Sequence, residues 1–147
     1  MSAPQAPCVF CKIIAGQLPS NVIYADDQVV AFLDIRPVNP GHTLVVPRFH
    51  AASLAELKPE LGGRLFQVAM HVAAALRRSG LQCEGVNVYL ADGKVAFQEV
   101  PHIHIHVIPR FQGDALRINF GAGYGRSPST EELSTIATKI RQGFKAR

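Results

Sequence analysis

Apolar residues follow two different periods along the chain, and each period predicts a type of secondary structure. Segments rich in β-branched and aromatic residues, which are typical of strands, occupy positions 22–24, 29–34, 42–46, 86–90 and 102–108. The first two flank Asp26 and Asp27, so we expect them to form a hairpin. Pro37, Pro40 and Gly41 predict a loop before the third strand.

Helices are predicted where apolar residues recur every three or four positions. The longest such segment begins at Pro59 and ends before Gly80, with apolar residues at Leu61, Leu65, Val68, Ala69, Val72 and Leu76. A second helix is predicted over residues 129–144, where Ser129 and Glu132 have the spacing of a capping box. Its apolar face is formed by Leu133, Ile136, Ala137, Ile140 and Phe144. Residues 8–15 are long enough for one or two helical turns.

The order of these elements is typical of an α+β fold. The links between strands are mostly short, which favours an antiparallel sheet with the helices packed on one side. The chain length fits one hydrophobic core, and the sequence contains no internal repeat. We therefore expect residues 1–147 to form a single domain.

Composition excludes several classes of protein. Apolar residues make up 48% of the chain and charged residues 18%, which is typical of a globular protein and not of a disordered one. No apolar run approaches the roughly 20 residues that span a bilayer. The net charge of +4 is compatible with a phosphate ligand, but the basic residues are scattered and Trp is absent, which argues against dedicated nucleic-acid binding. Residues 1–7 do not resemble a secretion signal, so we expect a cytoplasmic location.

Three histidines alternate with apolar residues along the last predicted strand. Side chains alternate across a strand, so His102, His104 and His106 share one face, roughly 6–7 Å apart. A solvated polar face could carry any polar residue. Neighbouring histidines could also hold zinc. Nucleophilic or acid–base catalysis is the third interpretation, because imidazole titrates near neutral pH.

This pattern resembles the signature of the histidine triad family. Gln98 lies four residues before His102, as a glutamine of that family does, and His42 with residues 43–47 resembles its fourth histidine and the strand that follows. Residues 32–35 resemble its ribose-binding strand, and residues 8–16 resemble the start of many bacterial members. The resemblance covers residues 8–110 and leaves a divergent C-terminal segment, 111–147.

The resemblance implies a fold and a reaction. The fold is a five-stranded antiparallel sheet with one long and one C-terminal helix, and the reaction is hydrolysis or transfer of nucleoside monophosphate groups through a covalent nucleotidyl-histidine. His104 would attack the α-phosphate, and no catalytic cofactor would be needed. His42 and His106 would bind phosphate oxygens or relay protons, His102 completes the histidine set, and Gln98 would orient the bridging or attacking atom.

The resemblance also implies a pocket for a purine nucleoside, most simply adenosine. Its apolar residues would be Val9, Phe10, Ile13, Phe32 and Ile35, with the Asp34 carboxylate accepting hydrogen bonds from the ribose hydroxyls. Each apolar residue could equally belong to the core, and Asp34 could simply form a turn. Adenosine phosphoramidates and diadenosine polyphosphates both remain open as substrates.

Two residues depart from the family pattern beside Gln98. Phe97 stands where a glycine is usual, and Glu99 stands where Ser or Thr is frequent. A hydroxyl could donate a hydrogen bond to phosphate, whereas a carboxylate cannot and would repel it. The two departures leave the preference for the leaving group open.

Cys8 and Cys11 form a C-x-x-C pair, and the odd number of cysteines, three, argues against a disulfide framework. Some family members bind zinc through this pair and two histidines, whose positions match His50 and His102. Such a site would be tetrahedral, closed and therefore structural. Two thiols in the core are the simpler alternative.

The family also implies a homodimer in which two sheets form one ten-stranded sheet, with the helix at 59–79 packed across the two-fold axis. Two other functions remain open. One is a non-enzymatic regulatory module that binds nucleotides on the same fold. The other is a metalloenzyme in which the histidine row holds catalytic zinc.

Overall fold

The computed structural model describes residues 8–144. The strands are β1 (Val22–Ala25), β2 (Val29–Leu33), β3 (Thr43–Pro47), β4 (Gly85–Leu90) and β5 (Ile105–Arg110). The α-helices are α1 (Val9–Ile14), α2 (Pro59–Arg78) and α3 (Thr130–Phe144), and 3-10 turns occur at Leu54–Glu56 and Lys94–Ala96. Residues 1–7, which do not resemble a secretion signal, lie outside the described residues. None of the described helices is both long and apolar enough to cross a bilayer.

The strands form one antiparallel sheet in the order β1-β2-β3-β5-β4. This confirms the predicted five-stranded α+β fold. Both faces of the central strands are covered, because α2 packs on one face and Cys8 and Phe10, at the start of α1, pack on the other. The prediction that the helices pack on one side is therefore wrong for α1. Phe10 is the buried residue of this short helix, and it packs edge-on against the Phe32 ring.

The last strand differs from its predicted bounds at both ends. It begins at Ile105 and not at His102, because the Ile103 N–H donates to the carbonyl of Ala51, in the loop after β3, at 2.7 Å. It also continues through Pro109, which pairs with Val86. The Pro109 carbonyl accepts a hydrogen bond from Asn39 at 2.9 Å. In a strand the N–H and C=O of one residue point to the same edge. The position where Pro109 lacks an N–H therefore lies on the edge away from β4, so proline costs no hydrogen bond to that strand.

The chain separates into two compact units at Ala115 and Leu116. In the second unit the predicted capping box is confirmed: the Ser129 N–H donates to Glu132 Oε2 at 2.7 Å, and the Glu132 N–H donates to Ser129 Oγ at 3.1 Å. None of the residues of α3 is buried. The single domain over 1–147 stays a prediction.

A polar network joins the β1–β2 hairpin to α2. Asp26 accepts hydrogen bonds from the Gln28 and Val29 N–H groups at 2.8 and 2.7 Å, from the Tyr24 hydroxyl at 2.8 Å and from Arg64 Nη2 at 2.8 Å. Burial of the carboxylate raises the pKa of Asp26, but these donors outweigh it and hold that pKa below its ordinary value.

We expect Asp26→Ala to lower the free energy of unfolding by about 1–3 kcal/mol, because it leaves several donors without their acceptor. Asp27→Ala removes the same charge from an exposed neighbour and is the matched control. A depressed folded-state pKa stabilises the protein above the unfolded carboxyl pKa of about 4, and that stabilisation is lost as the pH falls below it. Urea unfolding at pH 7 and pH 3 measures both effects. Equal stability of the two variants at pH 7 would contradict the prediction.

Candidate active site and metal centre

The three alternating histidines lie on the sheet face that α1 covers. His102 is fully buried and His104 is 5% exposed, while the apolar residues between the histidines point into the core beneath α2. The Phe10 ring packs edge-on against both His102 and His104, with centroids 5.8 and 5.0 Å apart. The interpretation of the row as a solvated polar face is therefore wrong.

The geometry around His104 fixes one imidazole tautomer. His104 Nδ1 lies 2.8 Å from the His102 carbonyl oxygen, and because a carbonyl can only accept, Nδ1 carries the proton. Nε2 then bears the lone pair, and no hydrogen bond to it is found within residues 8–144. Burial lowers the pKa of His104, although the bond to the His102 carbonyl and the carboxylates of Asp34 and Glu99 oppose this shift. His104 is therefore a neutral imidazole with an available Nε2 near pH 7.

A chain of hydrogen bonds also orients His42 and His106. The Val38 N–H donates to His42 Nδ1 at 3.1 Å, so the proton of a neutral His42 lies on Nε2. That Nε2 lies 2.9 Å from His106 Nδ1, which must accept and which leaves the His106 proton on Nε2. Burial, together with the neighbouring His104 and His42, lowers the pKa of His106 to about 4. Burial also lowers the pKa of His42, against the opposing charge of Asp34.

The structure adds Tyr89 to this site. Its ring stacks on His106 with centroids 4.2 Å apart and planes 7° from parallel, because Tyr89 of β4 is the cross-strand partner of His106 in β5. Sequence reasoning did not identify Tyr89. Only the register between β4 and β5 reveals it, and the register is not apparent from the sequence pattern.

The residues predicted to bind the nucleoside occupy different environments. Asp34 lies at the histidine site, with Oδ2 3.7 Å from His42 Nε2 and Oδ1 accepting the Arg36 N–H at 2.8 Å. Phe10 and Phe32 are buried in the core cluster under α1, and Ile13 packs against that cluster. Val9 is 40% exposed, and Ile35 is 86% exposed at the loop after β2. Among the apolar residues of this set, Phe10 is the one whose ring packs against His102 and His104.

The side-chain amide of Gln98 is hydrogen-bonded to the backbone on both sides. Its Oε1 accepts the Gly93 N–H at 2.8 Å, and its Nε2 donates to the carbonyls of Ala52 at 2.8 Å and Val100 at 3.2 Å. In this arrangement Gln98 fastens the loop before the histidines to the loop after β3. Its role toward the bridging atom stays a prediction.

A second group of side chains brings together Cys8, Cys11, His50 and His102, whose ligand atoms all lie within 4.8 Å of one another. His102 Nδ1 lies 3.3 Å from Cys8 Sγ, 3.5 Å from Cys11 Sγ and 3.2 Å from His50 Nδ1, and Cys11 Sγ lies 3.3 Å from His50 Nδ1. A tetrahedral zinc with bonds of about 2.0–2.3 Å spaces its ligand atoms roughly 3.3–3.8 Å apart. The group therefore fits zinc in both spacing and ligand type.

The protonation of this group suits a metal as well. His102 Nε2 lies 2.9 Å from the carbonyl of Pro47, so Nε2 carries the proton and Nδ1 presents a lone pair to the two thiols. Burial lowers the pKa of His102 to about 4, which keeps the ring neutral at neutral pH. Burial, reinforced by Cys8, raises the pKa of the Cys11 thiol to about 11. A bound zinc ion deprotonates such a thiol.

Comparison with known proteins agrees with this geometry. The family model of the HIT domain matches residues 15–113. An uncharacterised HIT-like protein of Borreliella burgdorferi is 45% identical over 134 residues, which cover 90% of this chain and 95% of that protein. The chain belongs to the HIT, or histidine triad, family. The resemblance carried by the histidine row and its neighbours is thereby confirmed.

Two further relatives of this HIT protein bear on its chemistry. The adenosine 5'-monophosphoramidase of Saccharomyces cerevisiae is 38% identical over 113 residues, which cover 75% of this chain and 68% of the yeast protein. The crystal structure of a zinc-bound histidine triad family protein from Mycobacterium smegmatis superimposes with a TM-score of 0.72 at 40% identity, over 95% of this chain and 97% of that one.

Proposed function

We propose that this HIT protein is a hydrolase or nucleotidyltransferase that cleaves nucleotide conjugates at the α-phosphate through a covalent intermediate on His104. The observation that carries the proposal is the fixed tautomer of His104. Its Nδ1–H is held by the His102 carbonyl at 2.8 Å, and its Nε2 lone pair is available. A neutral, oriented imidazole is the form that can attack phosphorus.

The reaction has two steps. In the first, His104 Nε2 bonds to the α-phosphorus, the bond from phosphorus to the leaving atom breaks, and the leaving group takes its proton from water. In the second, water or another acceptor bonds to phosphorus, the bond to Nε2 breaks, and the acceptor's proton passes to solvent. His106 would donate a hydrogen bond from Nε2–H to a phosphate oxygen, and the contact from His42 Nε2 to His106 Nδ1 at 2.9 Å keeps the His106 proton on that nitrogen.

We infer that the nucleotide is a purine nucleotide, with adenosine as the first choice, because the yeast and Schizosaccharomyces pombe relatives are adenosine 5'-monophosphoramidases. Asp34 would accept hydrogen bonds from the ribose hydroxyls. The apolar side of the nucleoside pocket would be formed by Phe10, Phe32, Val9 and Ile13. The alternative to adenosine phosphoramidates as the substrate class is the diadenosine polyphosphates.

A panel of adenosine conjugates under single-turnover conditions tests this function. We expect release of AMP at a rate that saturates with enzyme concentration. Binding of AMP without turnover of any conjugate would favour the regulatory module instead. Loss of turnover on metal removal, with the fold retained, would favour catalytic zinc, for which Asp34, His42 and His106 are a second possible ligand set.

We also propose that Cys8, Cys11, His50 and His102 hold a structural zinc ion. The spacing and protonation of the four ligands support it, as does the zinc-bound relative from Mycobacterium smegmatis. Such an ion would fasten α1 to the segment that carries His104. It would take no part in the bond changes at phosphorus.

The proposed homodimer is supported by surfaces that a monomer leaves exposed. Phe66 and Met70 lie one turn apart on the outer side of α2 and are 55% and 58% exposed, and β4 is an edge strand of the sheet. We expect light scattering at micromolar concentration to give about twice the 15.9 kDa chain mass. Met70→Glu should shift the protein to monomers, whereas Gln28→Glu, which adds the same charge on the hairpin, should not. A wild-type mass of one chain would refute the dimer.

A further inference from the structure

His42 follows a tight turn that begins at Asn39. The His42 N–H donates to the Asn39 carbonyl at 3.0 Å, which closes the turn. Gly41, at the third position of the turn, has a φ of 100°, as in a type II turn. A Cβ added to Gly41 would lie 2.9 Å from the Leu76 side chain and 3.0 Å from that of Leu81. The close packing against these two leucines therefore restricts the turn.

A buried polar network also holds the turn. Asn39 Nδ2 donates to the Pro109 carbonyl and to Asp114 Oδ2, both at 2.9 Å. Asp114 also accepts hydrogen bonds from Arg110 Nε at 2.6 Å and from Arg110 Nη2 at 2.9 Å. Asn39 and Asp114 are each only 5% exposed. The network thus joins the turn before β3 to the end of β5 and the residues that follow it.

The chemistry of this network gives the Asn39 amide one orientation. Hydrogen bonds from Arg110 hold the pKa of Asp114 below its ordinary value, against the effect of burial, so the carboxylate is ionised at neutral pH. An ionised carboxylate and a carbonyl can only accept, so Asn39 presents its NH2 group to both. A hydrogen bond to a charged acceptor is also stronger than one between neutral groups. Asn39 is therefore anchored through a buried and oriented side chain.

The same turn sets the hydrogen bonds of two histidines in the site. Val38, the residue before Asn39, donates its N–H to His42 Nδ1 at 3.1 Å. His42 Nε2 lies 2.9 Å from His106 Nδ1, so the position of the Val38 N–H decides where both imidazole protons lie. If the turn shifted, a proton on His42 Nδ1 would be tolerated, and His106 would then donate from Nδ1 and keep a lone pair on Nε2. A lone pair cannot donate to a phosphate oxygen.

We propose that Asn39 and Asp114 are positioning residues for the reaction, which hold the turn so that the Val38 N–H faces His42 Nδ1 and the His106 proton stays on Nε2. The effect on turnover rests on the proposed function, whereas the effect on the two tautomers does not. Asp114 reaches the turn because β3 and β5 are antiparallel neighbours, which places the end of β5 beside the start of β3. Both residues act through the backbone of the turn.

The first test observes the tautomers directly in the variant Asn39→Ala. Long-range proton–nitrogen NMR correlations distinguish an imidazole nitrogen that carries a proton from one that carries a lone pair. In the wild type at neutral pH we expect His42 and His106 to carry the proton on Nε2. In Asn39→Ala the Nδ1 and Nε2 signals of both rings should move toward each other, as a mixture of tautomers gives. Asp114→Asn keeps the shape of the side chain but loses its charge, so the same change should be smaller.

Asp26→Ala is the matched control, because it breaks a separate polar network, in the β1–β2 hairpin, and also lowers the stability of the fold. It should leave the tautomers and kcat as in the wild type. Wild-type tautomers in both Asn39→Ala and Asp114→Asn would overturn the proposal. An equal change in Asp26→Ala would overturn it as well, since the change would then reflect only a less stable fold.

Turnover of an adenosine phosphoramidate gives the second readout. In Asn39→Ala, kcat should fall about tenfold while KM stays within about twofold, because the weakened hydrogen bond to phosphate acts in the transition state. A purely structural role would lower only the fraction of folded protein, and leave the kcat of the folded molecules unchanged. Altered tautomers with an unchanged kcat would overturn the role in the reaction. If the wild type turns over no conjugate, it is the proposed function that fails, and the NMR result still decides whether Asn39 and Asp114 position the histidines.

Discussion

Replacing His104 by alanine will lower the turnover of adenosine conjugates by about four orders of magnitude or more, while AMP still binds. The loss is large because the variant lacks the atom that bonds to phosphorus, and neither His42 nor His106 presents a free lone pair in its place. Binding survives because the apolar residues and Asp34 remain. Single-turnover kinetics and calorimetric titration with AMP measure the two quantities.

The matched control is His71→Ala, which removes an exposed imidazole from α2. It should leave kcat and KM unchanged. A substrate labelled at the α-phosphorus should leave label on wild-type protein after rapid quench in alkaline denaturant, which preserves the acid-labile P–N bond, in the peptide that contains His104, and none on His104→Ala. Turnover of His104→Ala within tenfold of wild type, or label on another residue, would remove His104 from the role of nucleophile.

Much of the fold could be predicted because the spacing of apolar residues along the sequence indicates which side chains are buried. The predicted bounds of β2, β3 and α2 agree with the structure within a residue or two, since their apolar residues face the core. The start of the last strand was wrong because a long-range hydrogen bond, from Ile103 to Ala51, decides it. The face on which α1 packs was also wrong. The packing of α1 on the sheet depends on one buried side chain, Phe10, and a single buried residue produces no periodic pattern in the sequence.

The shared face of the histidines was predictable, and their contacts were less so. The alternation of His102, His104 and His106 puts the three side chains on one face because side chains alternate across a strand, whereas the role of His104 comes from the family resemblance and stays a proposal. Tyr89 was missed because strand register brings it to His106. The amide of Gln98 proved to be bonded to the backbone of two loops, and Ile35 to be exposed, because loop conformation determines both.

The metal group was predicted from family resemblance, since the four residues lie far apart in the sequence. Cys8 and Cys11 precede the sheet, His50 follows β3, and His102 precedes β5. The sheet order places β3 beside β5, which brings His50 and His102 together, with ring centroids 4.9 Å apart. The packing of Phe10 against Phe32 then brings the two thiols to them.

Removing zinc should therefore destabilise the fold more than it slows the chemistry. A structural zinc contributes several kcal/mol or more, because the unfolded chain has no formed site. For a chain of this length that corresponds to a fall in melting temperature of about 10 °C or more. His104 keeps its Nδ1 bond to the His102 carbonyl, which is a backbone contact, so the folded fraction should retain its rate within about tenfold.

Chelation and the variant Cys11→Ser both test this destabilisation through the melting temperature. The variant Cys83→Ser is the control. Cys83 is partly buried just before β4, and its Sγ contacts the Gly85 carbonyl at 3.4 Å, whereas the four proposed ligands contact one another. Chelator should lower the melting temperature of wild type and of Cys83→Ser alike, and should have little further effect on Cys11→Ser. Elemental analysis of protein purified without chelator should give about one zinc per chain. A value near zero, with no thermal response to chelator, would mean that the two thiols only pack in the core.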